Sequence, residues 1–203
     1  MKNARRDFFR QLARELARPV VAFKQGLEEG RPESRRKDAA SDSWTRPPSV
    51  EDDDAFLRTC DRSGECVKAC PADAIFAFEA DGSPYINPAD QPCVVCVDLA
   101  CMSACPSGAL GPRERTALGM GTAKVDHETC IRSHGQDCIE CIRVCPLHED
   151  GVTVLDIDPE NRIRVRALTC VGCGVCQEVC PTEPKAVQVV PRRLLASNER
   201  RFE

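Results

Sequence analysis

The sequence predicts an α+β fold of two small modules that are organised around groups of cysteines. Three observations support this prediction. The 203 residues include 15 cysteines in four groups, and each group ends in the dipeptide Cys-Pro. Aromatic residues make up only 4% of the chain, which is too few to build an ordinary core. Two of the groups are followed by segments with strand character and turn signals.

Group four, the last along the chain, has the spacing C-x2-C-x2-C-x3-C-P. It consists of Cys170, Cys173, Cys176 and Cys180, followed by Pro181. This spacing is typical of bacterial ferredoxins, in which three thiolates surround one iron–sulfur cluster and the fourth ligates the neighbouring cluster. Gly172 and Gly174 allow the backbone to pass close to such a cluster. We expect a short helix to begin at the fourth cysteine, because proline suits the first helical turn.

The other three groups are variants of this spacing. Group two, with two extra residues between its second and third cysteines, consists of Cys93, Cys96, Cys101 and Cys105. Group three, with five extra residues between its first and second cysteines, consists of Cys130, Cys138, Cys141 and Cys145. Group one consists of Cys60, Cys66 and Cys70, with Ser63 where the second cysteine is expected. The four groups account for every cysteine in the chain.

Three chemistries compete for these cysteines. A disulfide framework is typical of secreted chains with an even number of cysteines, whereas this number is odd. Zinc sites use pairs of C-x2-C separated by longer loops, and runs that end in x3-C-P do not have that form. The fourfold recurrence therefore favours iron–sulfur clusters. Because metal binding supplies folding energy in small metal domains, we expect the iron-free chain to be poorly folded.

Composition divides the chain into five segments. These are an amphipathic arm at residues 1–27, a polar linker at 28–55, two ferredoxin-like modules of the 4Fe-4S type at 56–112 and 113–191, and a charged tail at 192–203. The arm has apolar residues at steps of three and four, and we expect it to be flexible. It either packs on the body or docks on a partner or a membrane surface. Within the linker, Trp44 and Arg46-Pro47-Pro48 either pin the chain to the body or belong to a free loop.

Strand and turn patterns suggest how the groups pair. One hairpin is predicted at residues 75–86 around Asp81-Gly82, and another at residues 152–165 around a turn at 158–161. Residues 111–124 have a poorer hairpin pattern. This favours pairing group one with group two and group three with group four. The nested alternative, one with four and two with three, stays open because the gaps between groups are similar.

Under the favoured pairing, each site takes three cysteines from one group and the last cysteine of its partner group. Site I comprises Cys60, Cys66 and Cys105, with Ser63 at the vacant corner. Site II comprises Cys93, Cys96, Cys101 and Cys70. Site III comprises Cys130, Cys138, Cys141 and Cys180. Site IV comprises Cys170, Cys173, Cys176 and Cys145. We expect three to four clusters of the [4Fe–4S] type.

Ser63 makes site I chemically different. A serine hydroxyl is a harder and far less acidic ligand than a thiol. Site I therefore holds a [3Fe–4S] cluster, a labile [4Fe–4S] cluster with Ser63 or solvent on the fourth iron, or no cluster. His134, in the insertion of group three, is expected to be a surface side chain rather than a ligand, as are His127 and His148.

Charge is distributed unevenly along the chain. Residues 1–46 hold 12 Lys/Arg and 7 Asp/Glu, so this segment carries +5 and the remainder −9 of the total −4. An acidic body favours a protein partner of complementary charge, and no aromatic-studded basic groove indicates nucleic acid. Arg5-Arg6 is similar to a twin-arginine export motif, but no apolar stretch follows it. We therefore expect a cytoplasmic protein without a transmembrane segment.

The motifs together resemble a known family, the ferredoxin-type proteins of the periplasmic nitrate reductase and methylamine-utilisation systems. The resemblance covers residues 44–190. It rests on Arg46-Pro47-Pro48 ahead of Phe56 and Cys60, and on the spacings of groups two, three and four. Exported members resemble electron carriers beside quinol oxidation. Cytoplasmic members look like helpers that bind a molybdoenzyme precursor and aid its iron–sulfur maturation, and the N-terminus resembles this second form.

The predicted function is one-electron transfer through a row of clusters that serves a larger redox enzyme system. The alternative is a maturation factor for a molybdoenzyme. The expected partner is accordingly a redox protein or an apo-enzyme precursor. We find no nucleophile triad, phosphate loop or flavin motif, so we do not expect the chain to be an enzyme by itself.

Overall fold

Residues 43–199 are described by the computed structural model, so the predicted arm at 1–27 and residues 28–42 of the predicted linker lie outside the described residues. The helices are α1 (Asp53–Thr59), α2 (Glu65–Ala69), α3 (Ala100–Ser103), α4 (Glu140–Arg143), α5 (Val175–Glu178) and α6 (Arg192–Glu199). The strands are β1 (Ile75–Ala77), β2 (Pro84–Ile86), β3 (Gly121–Val125), β4 (Leu155–Ile157), β5 (Ile163–Val165) and β6 (Val187–Pro191). Single 3-10 turns cover Arg115–Ala117, Ile131–His134 and Pro146–His148.

We call residues 43–112 the N-terminal half and residues 113–199 the C-terminal half, and both belong to one compact unit. The architecture is mixed: short helices alternate with three antiparallel two-stranded sheets. Within residues 43–199, every helix is too short or too polar to cross a lipid bilayer.

Two of the three sheets are the predicted hairpins. β1 pairs with β2, from Ile75 opposite Ile86 to Ala77 opposite Pro84. The turn between them is held by Asp81, which accepts the Ser83 N–H at 3.0 Å. β4 pairs with β5, and Asn161 occupies the left-handed region of its turn at φ 63°. Both hairpin predictions are confirmed.

The third sheet joins segments far apart in sequence. β3 pairs with β6, from Gly121 opposite Pro191 to Val125 opposite Val187. Residues 111–124 therefore do not form a hairpin of their own, since their strand finds its partner at the end of the C-terminal half. Val187 and Val189 are buried, so this sheet covers the core of that half.

The helices lie earlier in each group than expected, around the third cysteine position and not after the fourth. α3, α4 and α5 each contain the third cysteine of a group, and α2 contains Cys66 at the corresponding position of group one. Each helix ends at or before the residue that precedes the last cysteine of its group. Among the prolines that follow the last cysteines of the groups, only Pro146 begins a helical turn, which is a 3-10 turn. The expectation of a helix starting at each fourth cysteine is wrong. The fourth cysteines leave the helix in an extended conformation, as Cys70 and Cys145 do with ψ near 115°.

Residues 43–55 pack into the body, so the pinned form of the linker is the one observed here. Thr45 and Ile86 exchange two backbone hydrogen bonds of 2.8 Å. Pro47 and Pro48 are buried, and Val50 is 8% exposed. α1 begins inside the predicted linker because Asp52 caps it by accepting the Ala55 N–H.

Trp44 connects the two ends of the described chain. Its ring meets Phe78 edge-on, with centroids 5.1 Å apart. The guanidinium of Arg46 lies 4.8 Å from the Trp44 ring, and that of Arg193 lies 3.9 Å from it. Arg193 belongs to α6, a helix where the sequence predicted only a charged tail. Stacking of cations on Trp44 thus fastens α6 to the N-terminal half.

The core combines cysteines with small aliphatic side chains. Fully buried members include Ile86, Val95, Leu110, Leu118, Leu147 and Ile163. Seven cysteines are buried among them: Cys66, Cys101, Cys130, Cys141, Cys173, Cys176 and Cys180. Thiols therefore occupy positions that aromatic side chains fill in most domains of this size.

Replacing Arg46 with Ala tests how firmly residues 43–55 belong to the body. The Arg46 side chain is 9% exposed, pairs with Asp53, and donates to Ser83 Oγ at 3.0 Å and to the Pro84 carbonyl at 2.9 Å. Losing these bonds should cost about 2–3 kcal/mol and lower the midpoint of anaerobic thermal unfolding by roughly 5 °C or more.

The matched control is Arg113→Ala. Arg113 pairs only with Glu51 among the contacts seen, and both side chains are about half exposed, so its loss should cost less than about 1 kcal/mol. Equal midpoints for the two variants would contradict the assigned role of Arg46.

Candidate metal centres

Site I, in the N-terminal half, combines cysteines of groups one and two. Cys60, Cys66 and Cys105 line one small cavity, together with Ser63. Burial, and the nearby thiols of Cys60 and Cys105, raise the pKa of Cys66 to about 11. The three predicted thiols therefore face one another, and Ser63 stands at the rim of their cavity.

Site II lies beside it and is more enclosed. Cys70, Cys93, Cys96 and Cys101 line a small cavity whose other walls are proline and aliphatic side chains. Burial raises the pKa of both Cys93 and Cys101 to about 12. In the absence of iron these thiols remain protonated, because a lone thiolate is costly in an apolar cavity.

Site IV has the same form in the C-terminal half. Cys145, Cys170, Cys173 and Cys176 line a small cavity. Burial, and the nearby thiols of Cys170 and Cys145, raise the pKa of Cys173 to about 12.

Site III is assembled from groups three and four. Burial, followed by the thiols of Cys138, Cys130 and Cys180, raises the pKa of Cys141 to about 12. The thiol of Cys180 also lies 3.3 Å from the hydroxyl of Thr182.

The spatial grouping decides between the two pairings that the sequence left open. Cys105 joins the cavity of group one, and Cys70 joins that of group two. Cys145 joins the cavity of group four, and Cys180 faces group three. Groups one and two therefore exchange their last cysteines, as do groups three and four, and the nested arrangement is not the one observed.

Backbone N–H groups point at the cysteine sulfurs. Ala74 N–H donates to Cys70 Sγ at 3.3 Å. Leu110 N–H donates to Cys105 Sγ at 3.4 Å, and Ala123 N–H donates to Cys170 Sγ at 3.3 Å. Such bonds favour a thiolate over a thiol. Although burial acts to raise the pKa of Cys105, the Leu110 N–H and the Ser107 hydroxyl hold it below its ordinary value.

The donor set fits multi-iron clusters better than single ions. A zinc ion draws its thiolate sulfurs to within about 2.3 Å of one point. Within residues 43–199, no three Cys, His, Asp or Glu side chains converge in that way. Instead the thiols stand around cavities, with apolar walls behind them and N–H donors at several sulfurs. This arrangement suits a larger inorganic core held from its corners.

Close backbone approach at site IV explains one of its glycines. Gly172 has φ +71°, and a Cβ atom added to it would lie 2.6 Å from the Cα atom of Gly121 on β3. The Met120 N–H donates to the carbonyl of the adjacent Val171 at 3.0 Å. The cysteine loop of group four is thereby pressed onto the start of β3, which sets the depth of site IV.

The vacant corner of site I lies at the surface. Ser63 is exposed, and its backbone N–H donates to Asp61 Oδ1 at 3.1 Å. Arg62 fixes the same loop by donating to the Cys60 carbonyl at 3.0 Å. Asp61, Arg62 and Ser63 all line the cavity. Site I is therefore bordered by polar side chains, unlike sites II and IV.

The insertion in group three is organised by an arginine that the sequence analysis overlooked. Arg132 is 7% exposed, donates to Asp137 Oδ1 at 2.8 Å, and donates to Asn161 Oδ1 at 2.6 Å. His134 is exposed, and its ring bonds the Glu128 carbonyl. A buried arginine carries no local sequence signal, because its partner Asn161 comes from the turn between β4 and β5.

Comparison with known proteins places the chain in a family. A family model described as a 4Fe-4S dicluster domain matches residues 122–181. The methylamine utilization ferredoxin-type protein MauM of Methylobacillus flagellatus is 36% identical over 207 residues, covering 95% of this chain and 86% of MauM. The chain belongs to the ferredoxin-type proteins. The ferredoxin-type protein NapG of Escherichia coli is likewise 36% identical, over 213 residues that cover 95% of this chain and 88% of NapG.

In this ferredoxin-type protein, the segment matched by the 4Fe-4S dicluster model contains every cysteine of sites III and IV. Sites I and II lie before that segment. The relatives, by contrast, extend over nearly the whole chain, so the likeness includes both halves.

Gly172→Ala should disrupt site IV. The variant must accommodate a Cβ atom against the Gly121 backbone, in addition to a left-handed conformation that costs about 1–2 kcal/mol. We expect it to lose the iron of one site, measured as iron per protein after anaerobic purification.

Gly151→Ala is the control for that experiment. Gly151 has φ +74°, but a Cβ atom there would meet nothing within 4 Å. This variant has the same conformational cost without the clash and should keep its iron. If both variants hold as much iron as the unaltered protein, the close approach at Gly172 does not define the site.

Proposed function

We propose that this protein transfers single electrons through three to four iron–sulfur clusters on behalf of a larger redox enzyme system. The observation that carries the proposal is the convergence of all 15 cysteines into four sets, each facing a cavity or a shared centre. Membership of the ferredoxin-type family supports the same function.

The proposed ligands follow the four sets. Sites II, III and IV each offer four thiolates and suit [4Fe–4S] clusters. Site I offers three thiolates, from Cys60, Cys66 and Cys105, and suits a [3Fe–4S] cluster, because the exposed hydroxyl of Ser63 is a poor substitute for a thiolate. We further propose that the two halves are tandem ferredoxin-like modules, with sites I and II in the first and sites III and IV in the second.

The clusters, when bound, supply one-electron exchange without any change in covalent bonding. The chain's residues hold the irons, exclude water and set the local charge. Apolar walls at sites II and IV keep solvent from the thiolates, and the N–H groups of Ala74 and Ala123 donate to their sulfurs. Burial and such hydrogen bonds are the means by which a protein adjusts cluster potentials. We assign no substrate chemistry to the chain.

The partner in this proposal is another redox protein. One relative is named for methylamine utilization, which supports a place beside an oxidoreductase. The cytoplasm is the location proposed for this exchange, in keeping with the N-terminal resemblance to the cytoplasmic members of the family. The N-terminal residues, and the amphipathic pattern proposed as a docking arm, lie outside the described part of the chain.

Iron and sulfide counts with EPR spectroscopy test the cluster content. We expect about 15 irons per protein and the signal of an oxidised [3Fe–4S] centre in the unaltered protein, and about 16 irons without that signal in Ser63→Cys. Ser103→Cys is the matched control, since Ser103 is exposed on α3 and lies away from the site I cavity. It should resemble the unaltered protein.

Two results would count against this assignment. A count of about 12 irons in the unaltered protein would mean that site I is empty, and that the chain carries three clusters. Zinc in place of iron would overturn the electron-transfer proposal as a whole.

A further inference from the structure

The two halves meet where the cysteine loops of groups two and four touch. The Cys93 N–H donates to the Cys173 carbonyl at 3.1 Å. Cys93 belongs to site II and Cys173 to site IV, so a single hydrogen bond joins the loops of the two sites.

Two further contacts bring the same sites together. Cys96 of site II and Cys145 of site IV line one groove, along with Val175 of α5. A Cβ atom added to Gly174 would lie 2.5 Å from Pro88 Cβ, so the loop of group four touches the segment that leads into group two. Sites II and IV are therefore neighbours, although group three lies between their groups in sequence.

Arg115 fastens this junction. Its Nε donates to the carbonyl of the buried Val95 at 3.1 Å, within the loop of group two. Its Nη1 pairs with Asp150, which follows group three shortly after Cys145. The Arg115 side chain is 19% exposed and the Asp150 side chain 29%, so water weakens the pair less than at an open surface. One side chain thus ties the loop of site II to the segment that carries a cysteine of site IV.

Within each half, the two sites also face each other. Cys66 lines the cavity of site I, and Cys70, at the end of the same helix, lines that of site II. In the other half, α4 carries Cys141 of site III and leads into Cys145 of site IV. The sites therefore follow one another in space as I, II, IV, III, which differs from the order of their groups along the chain.

We propose that electrons cross between the halves from site II to site IV, on a path ordered I, II, IV, III, and that Arg115 is the positioning residue for this crossing. The inference rests on the proposed function. Each crossing moves one electron from a reduced site to an oxidised one, and no bond forms or breaks. The outer ends of the path, sites I and III, exchange electrons with one-electron donor and acceptor proteins.

Variants that retain two sites test the order. Cys66→Ala with Cys138→Ala and Cys141→Ala leaves sites II and IV, whereas Cys66→Ala with Cys173→Ala and Cys176→Ala leaves sites II and III, because each emptied site then keeps only two thiols. After reduction with dithionite, pulsed EPR measures the magnetic coupling between the two remaining centres. Because dipolar coupling falls with the cube of distance, we expect it to be at least twofold stronger for the pair II and IV. Stronger coupling for the pair II and III would overturn the order.

The intact chain provides an independent test of Arg115. Arg115→Ala should weaken the coupling between sites II and IV at least twofold and leave the couplings within each half unchanged. Arg113→Ala removes an equal charge two residues away. Because Arg113 pairs with Glu51, we expect this variant to change none of the couplings between sites. Identical spectra for the two variants would overturn the positioning role.

Iron counts on every variant distinguish a failure of the proposed function from a failure of the proposed electron path. Iron-free protein from the unaltered chain would be a failure of the proposed function. Full iron with the wrong coupling pattern would be a failure of the path alone. If a two-site variant loses its iron, the comparison of Arg115→Ala with Arg113→Ala decides the proposal.

Discussion

The burial of thiols in cavities with apolar walls is the constraint on which the rest of the structure depends. A thiol in such a place packs as a small apolar group while it is protonated. The aliphatic side chains around sites II and IV pack against the thiols rather than across the cavities. With only 4% aromatic residues, the chain offers few large side chains for its core. Ligation therefore serves both the chemistry and the packing.

Exchange of the last cysteines converts this local constraint into a tertiary one. Cys70 and Cys105 cross between groups one and two, so neither cysteine loop of the N-terminal half is complete by itself. The same crossing by Cys145 and Cys180 unites groups three and four. The environments nevertheless differ. Polar side chains border site I, whereas sites II and IV, at the junction of the halves, are enclosed by apolar ones. In the proposed order I, II, IV, III, the polar site I stands at an end and the apolar sites II and IV stand in the middle. This distribution suits a chain that meets a partner at site I.

The sequence was informative where the signal is local. Cysteine spacing predicted the four sets, and turn residues such as Asp81-Gly82 predicted both hairpins. It was uninformative where a partner is distant. β3 was not recognised because its partner β6 lies beyond two cysteine groups, and a non-local pair leaves no turn between its strands. Residues 43–55 resembled a linker because their polar composition conceals the buried contacts of Arg46. The role of Arg115 was invisible for the same reason, since both of its partners come from other segments.

The pairing of β3 with β6 has a consequence for how the protein is made. All seven thiols of sites I and II have been synthesised once residue 105 is added, and the strands of their hairpin are adjacent in sequence. The C-terminal half cannot complete site III with Cys180 until 75 further residues have followed, an interval of about 4–15 s at ordinary rates of translation, and its sheet closes only after β6 follows. During that interval the thiols of group three emerge before their partners exist. Synthesis thus separates the loading of the two halves in time, and it leaves the later half as the one most in need of protection from oxidation.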